Sequence, residues 1–163
     1  ENSIIICQIQ QIITTLFNTV NSKKIAFLGW AFKKDTNDTR ESAAIYVAEH
    51  LIEDGAEVHV YDPKVSESKI KADMLYLWEL KGLTEEKRKH KFAQIFVYTS
   101  PMEAVYKAHA VALLTEWDEF IGYDWNAIYT NMYKPAFVFD GRNILDIKKL
   151  TAIGFQVKGI GKY

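Results

Sequence analysis

The apolar run at residues 25–32 (IAFLGWAF) breaks off directly into Lys33-Lys34-Asp35-Thr36-Asn37-Asp38-Thr39-Arg40, and a helix-patterned segment follows at once. Apolar residues without alternation mark a strand buried on both faces, and such strands belong to parallel sheets covered by helices. The polar break then delivers three cations, Lys33, Lys34 and Arg40, to the sheet edge where an open α/β fold places its ligand. A phosphate or another anion is the natural occupant of such a mouth.

The rest of the chain repeats the alternation. Ile5, Ile9, Ile12, Ile13, Leu16, Phe17 and Val20 form a helical stripe that Asn21-Ser22 ends, so the chain opens inside a helix-patterned segment without a methionine. That start reads as part of a longer polypeptide. After the cationic loop, Asp38 or Thr39 is placed to cap a helix, with Glu41 three residues beyond Asp38 as in a capping box. The apolar face of this helix is Ala44, Val47, Ala48, Leu51 and Ile52, and Gly55 stands at its end. Residues 57–61 read as a second strand stopped by Asp62-Pro63. Residues 64–93 read as a surface excursion with some helix. Further strands are expected at 94–98, 109–114, 136–139 and 155–160. Helices are expected at 102–107 behind Ser100-Pro101, at 123–132, and at 146–153 before Gly154. About six strands alternating with helices predict an α/β fold with a mostly parallel sheet and helices on both faces.

Composition excludes several classes of function. With 20 basic against 21 acidic side chains the net charge is −1, so no global field draws in nucleic acid or an anionic membrane. Any anion site must be local. Hydrophobic residues at 48% suit one packed domain, and no apolar run is long enough to span a bilayer. A single cysteine, Cys7, permits no internal disulfide and fits a reducing compartment, so a cytoplasmic protein is expected. The four histidines, His50, His59, His90 and His109, lack metal-ligand spacing, so no metal is expected.

For the strand order 3-2-1-4-5-6, the ligand crevice opens between strands one and four. The loops at residues 32–40, 115–120 and 140–143 then share it, bringing Lys33, Lys34, Arg40 and Arg142 together from distant parts of the chain. Each cation also has a purely structural reading. Lys33 can be a solvated lysine, Arg142 can pair with Asp140 or Asp146, and Arg40 can be neutralised by Asp38 or Glu41. Gly29-Trp30-Ala31-Phe32 offers one glycine where a dinucleotide fingerprint needs three, and the P-loop pattern is missing too. Asp62 sits where a ribose-binding acid would be, but without those glycines it reads as a turn former before Pro63. No catalytic residue is identified.

Gly29 to Ser42 (GWAFKKDTNDTRES) resembles the signature that opens the C-terminal domain of nucleotide-sugar dehydrogenases. Val60-Tyr61-Asp62-Pro63-Lys64, Leu114-Thr115-Glu116-Trp117-Asp118-Glu119-Phe120 and Phe139-Asp140-Gly141-Arg142-Asn143 follow in that family's order. The likeness is greatest to the animal-type, UDP-glucose-oxidising branch. It implies that residues 1–22 end a central connecting helix and that 23–163 form a Rossmann-like UDP-sugar-binding domain. Family members carry UDP-glucose to UDP-glucuronate in two NAD-dependent oxidations through a cysteine-linked thiohemiacetal, usually as homo-oligomers. By resemblance, Phe32, Lys33 and Arg142 contact the substrate, and Arg40 reaches across the domain cleft to NAD. Asn37 stands where glycine is frequent, a change that Asn tolerates in the left-handed region. The family's catalytic cysteine, catalytic lysine and NAD fingerprint belong to a region with no counterpart in this sequence, and Cys7 does not match that cysteine. The chain alone is therefore expected to be inactive. Two alternatives remain at this stage: a related enzyme acting on UDP-N-acetyl-mannosamine or GDP-mannose, and a non-catalytic assembly subunit.

Overall fold

The structure, a computed structural model, describes Ile12 and residues 19–159. Six strands, β1 (Lys24–Leu28), β2 (Glu57–Tyr61), β3 (Ile95–Tyr98), β4 (Ala110–Leu113), β5 (Phe137–Asp140) and β6 (Gln156–Gly159), form one sheet in the order β3-β2-β1-β4-β5-β6. Every pairing is parallel. The register puts Leu28, Tyr61, Tyr98, Leu113, Asp140 and Gly159 in one row across the sheet, so the loops that follow leave from a single edge. The expected fold class and strand order are those observed. The helix expected up to Val20 and the end of the last strand fall largely outside the described residues. Of that helix, Ile12 is helical and buried, and Val20 is buried in the core.

Seven helices connect the described strands: α1 (Ala43–Glu53), α2 (Glu67–Leu80), α3 (Glu85–Phe92), α4 (Pro101–Val105), α5 (Asp118–Ile121), α6 (Trp125–Asn131) and α7 (Ile147–Ile153). The chain steps outward in one direction from β1 to β3 and in the other from β4 to β6. Right-handed crossovers therefore set α1 to α3 on one face and the later helices on the other. In agreement, α1 touches α2, α2 touches α3, and α4 and α7 each touch α6. The predicted apolar face of α1 is buried in full.

Two sequence readings need correction. Ser42, not Asp38 or Thr39, caps α1. Its side chain accepts from the Ala44 amide, and its hydroxyl donates to the Trp30 carbonyl at 2.6 Å. Glu41 therefore stands before the helix with φ 60° and completes no capping box. Residues 64–93 are also no mere excursion. Ile70, Met74 and Trp78, spaced i, i+4 and i+8 along α2, are fully buried. Burying such side chains is worth about 1.5–3 kcal/mol each. The Trp78 ring N–H donates to buried Glu49 of α1, and Lys81 and Lys91 close on the same carboxylate at 3.0 Å. That network ties both helices to the first crossover.

Candidate functional site

Asp62 is the hub of the carboxyl edge. It is 7% exposed, and its carboxylate accepts five N–H donors. The Trp30 and Ala31 amides come to Oδ2 at 2.7 and 3.0 Å, with the Trp117 indole at 3.1 Å. The Lys64 and Val65 amides come to Oδ1 at 2.8 and 3.0 Å. Loops after β1, β2 and β4 are thereby fixed to one anion. Asp62 is thus the turn former expected, and much more. A dinucleotide would need open amides at the β1 turn for its pyrophosphate. Here the chain's own carboxylate fills them. Gly29, with φ 101°, allows the β1 and β4 ends to close on each other, since a Cβ there would lie 2.4 Å from the Thr115 side chain. Thr115 in turn donates to the Ala31 carbonyl at 2.6 Å.

Beside this hub the loops after β1, β4 and β5 meet as the strand order requires. Arg142 is half-buried, and its Nη2 donates to the Phe32 carbonyl at 3.1 Å and to Glu116 Oε2 at 2.7 Å. The other Glu116 oxygen accepts the Lys34 amide at 2.8 Å. Burial pushes the Glu116 carboxyl up, but backbone hydrogen bonds and the charge and hydrogen bond of Arg142 outweigh it and hold the group below its usual value. The Lys34 ammonium reaches Asp118 at 3.2 Å, and that bond raises its pKa. Asp140 is not the ion-pair partner of the Arg142 guanidinium. It shapes the loop instead, accepting the Arg142 amide at 3.1 Å and the Leu145 amide at 2.8 Å. Neither Asp146 nor Asp140 competes for the Arg142 side chain among the described residues.

The four singled-out residues therefore divide. Phe32 and Arg142 are in direct contact. Lys33 is exposed, has no ion pair among the described residues, and lays its ammonium 5.4 Å from the Phe32 ring centre. Arg40 faces elsewhere, with its side chain 86% exposed and chelated by Asp38 at 2.8 Å. The Arg40 hydrogen bonds hold the Asp38 carboxyl at about 2. Arg40 lines two clefts against α2, of about 820 and 950 Å³, and Phe32 joins it in the smaller. The left-handed residue of the loop is Asp35, with φ 63°, and not Asn37. Behind the crevice, Tyr61 and Tyr123 both donate to Glu119, and burial with that bond pushes the Tyr61 hydroxyl up to about 12.

Sequence reasoning placed the three loops correctly and missed the acids that hold them. Glu116 and Asp118 stood in the Leu114–Phe120 motif, but nothing in the sequence marked them as partners of Arg142 and Lys34. The described residues include no cluster of His, Cys, Asp and Glu able to hold a metal ion, and no helix long and apolar enough to cross a membrane. The described arrangement can hold an anion beside a stacked or packed ring. It contains no apparent nucleophile with a general base.

Residues 26–147 match the model of the UDP-glucose/GDP-mannose dehydrogenase family, UDP binding domain. Over 94% of its length the chain is 49% identical to a UDP-glucose 6-dehydrogenase of Drosophila melanogaster, covering 31% of that protein. It is 47% identical over 93% of its length to that of Pongo abelii, covering 30% of it. The chain thus spans about a third of the curated relatives it matches. In structure it resembles an NDP-N-acetyl-D-galactosaminuronic acid dehydrogenase from Methanosarcina mazei, with a TM-score of 0.72, 22% identity, and 97% and 28% of the two chains covered. It also resembles a UDP-glucose dehydrogenase from Pyrobaculum islandicum, with a TM-score of 0.65, 23% identity, and 95% and 30% of the two chains covered. At these identities the structural likeness speaks for the fold alone.

Proposed function

Since the chain belongs to the UDP-glucose/GDP-mannose dehydrogenase family through its UDP binding domain, we propose that it binds UDP-glucose in the crevice between β1 and β4, for an NAD-dependent UDP-glucose 6-dehydrogenase. One observation carries this reading: Arg142, Phe32 and Glu116 converge from three loops at the switch point, with a guanidinium fixed there. A UDP-sugar diphosphate carries about two negative charges, and charge-assisted bonds to a fixed Arg and an exposed Lys suit it. Arg142 and Lys33 take the diphosphate, and Phe32 offers its ring and backbone to the same ligand.

NAD does not fit the β1 turn of this chain, because Asp62 already occupies the Trp30 and Ala31 amides. Arg40 is the residue we assign to NAD, which the rest of a full-length enzyme would hold across the cleft. In that enzyme residues 1–22 end the connecting helix and residues 23–163 are the UDP-sugar domain. The oxidation of UDP-glucose to UDP-glucuronate uses a cysteine and a lysine from outside this chain. This chain supplies binding and orientation. A cytoplasmic homo-oligomer completes the proposal.

Calorimetric titration at low salt tests it. Saturable binding of UDP-glucose to the 163-residue chain, with no heat from NAD, is expected. Tight binding of NAD without UDP-glucose would overturn the assignment of the crevice.

A further inference from the structure

The Arg142 guanidinium spends only one of its three nitrogens on the described residues. Nη2 donates both to the Phe32 carbonyl and to Glu116, whereas neither Nε nor Nη1 has a hydrogen bond to any described residue. A guanidinium offers five N–H donors in a planar fork, so three of them remain for a ligand. Glu116 is the acid that sets this division. It lies in the loop after β4, 26 positions from Arg142, and its second oxygen takes the Lys34 amide of the loop after β1. It therefore ties Nη2 to the loops after β1 and β4 and restricts where the free Nε and Nη1 donors point.

We infer that Glu116 is a positioning residue for diphosphate recognition, acting through Arg142 by holding its Nη2 corner so that the free Nε and Nη1 donors meet the phosphates. This rests on the assignment of the crevice to a UDP-sugar. A simple competitor role runs the other way. If Glu116 only neutralised Arg142, removing its charge would raise the local positive potential and tighten the binding of any anion. A positioning role requires removal to weaken diphosphate binding, because an unfixed guanidinium must then be ordered by the ligand itself.

The experiment titrates UDP and, separately, uridine into the native chain, Glu116→Gln, Arg142→Ala and the double variant, with thermal melts of each. Gln has nearly the shape of Glu but only one acceptor oxygen, so it cannot serve Arg142 and Lys34 at once. We expect Glu116→Gln to weaken UDP binding about tenfold, the size of one lost hydrogen bond to a charged group. Uridine affinity should stay within about twofold. In the Arg142→Ala background Glu116→Gln should change nothing, since coupled residues do not add. UDP binding that is unchanged or tighter in Glu116→Gln overturns the inference. So does an equal loss for UDP and uridine, or an effect that persists without Arg142. If the native chain binds neither ligand, the crevice assignment itself fails, which is a separate outcome.

Discussion

Arg142 and Arg40 both leave loops at the carboxyl edge of the sheet, and each meets a carboxylate at under 3 Å, 2.7 Å for Arg142 and 2.8 Å for Arg40. Arg142 takes its carboxylate from Glu116 and a carbonyl from Phe32, 110 positions earlier in the chain. Arg40 takes its carboxylate from Asp38, two residues away, by the side chain and the amide alike. The first arrangement cannot form until the fold has brought three loops together, so it fixes where the cation stands. The second travels with its loop and fixes only the loop's own shape. Fold-dependent pairing makes a preorganised recognition point, and local chelation leaves a cation that can swing toward a partner.

The largest way to break this contrast is to remove the tie beneath it. Asp62→Ala strips the acceptor from five N–H groups, two of them on the β1 turn that carries Phe32. Donors left buried without partners cost heavily, so a loss of about 3–5 kcal/mol is expected in chemical denaturation. UDP affinity should fall as well, because the crevice loses its floor. A loss under about 1 kcal/mol would mean the loops are held independently, and the fold-dependent half of the contrast would collapse.

The same contrast explains how much was visible in the sequence. Uninterrupted apolar strands such as residues 25–28 and 110–113 announce themselves, because a buried parallel sheet leaves no polar face to confuse the pattern. Their order follows from connection rules, and so does the crevice. What pairs with Arg142 does not follow. Asp140 and Asp146 are the carboxylates near it in sequence, but Asp140 spends its oxygens on the Arg142 and Leu145 amides, and Glu116 of the loop after β4 takes the guanidinium. The α2 helix was obscured for a different reason. Ile70, Met74 and Trp78 carry a proper helical spacing, but Tyr76, Leu77 and Leu80 on the other sides blur it, and Tyr76 and Leu80 are 68% exposed. Ser42 was overlooked as a cap because Asp38 and Glu41 satisfied a sequence rule. The tight turn at residues 39–42 broke it, with Glu41 in a left-handed conformation.

Lys33 sharpens the contrast at intermediate size. It has neither a fold-dependent carboxylate nor a local one among the described residues, and it rests against the Phe32 ring. Among the described residues its ammonium makes no hydrogen bond or ion pair, only that ring contact. Lys33→Ala should therefore weaken UDP-glucose binding about fivefold, the worth of one solvent-exposed charge contact to phosphate, and leave the melting temperature unchanged. The titration and melt together check it. Unchanged affinity with intact folding would remove Lys33 from the ligand.

The smallest effect belongs to Arg40, and its smallness is the point. Its ion pair with Asp38 is exposed on the Arg40 side and half-buried on the Asp38 side, so solvent and salt screen much of it. Arg40→Ala should leave both UDP-glucose affinity and the melting temperature of this chain where they are. A local readout still reports the pair. The Asp38 carboxyl lies at about 2 because the Arg40 hydrogen bonds favour its charged form, and without Arg40 it should return toward 3.8 in a nuclear magnetic resonance titration. The sign of the linkage follows from that depression. Whatever the pair contributes is complete above the unfolded value of 3.8 and is lost as pH falls through about 2. Between neutrality and pH 4, native and Arg40→Ala melting curves should consequently run parallel. A drop in UDP-glucose affinity on Arg40→Ala would place this arginine on the substrate rather than on a partner across the cleft. The two arginines would then be doing one job.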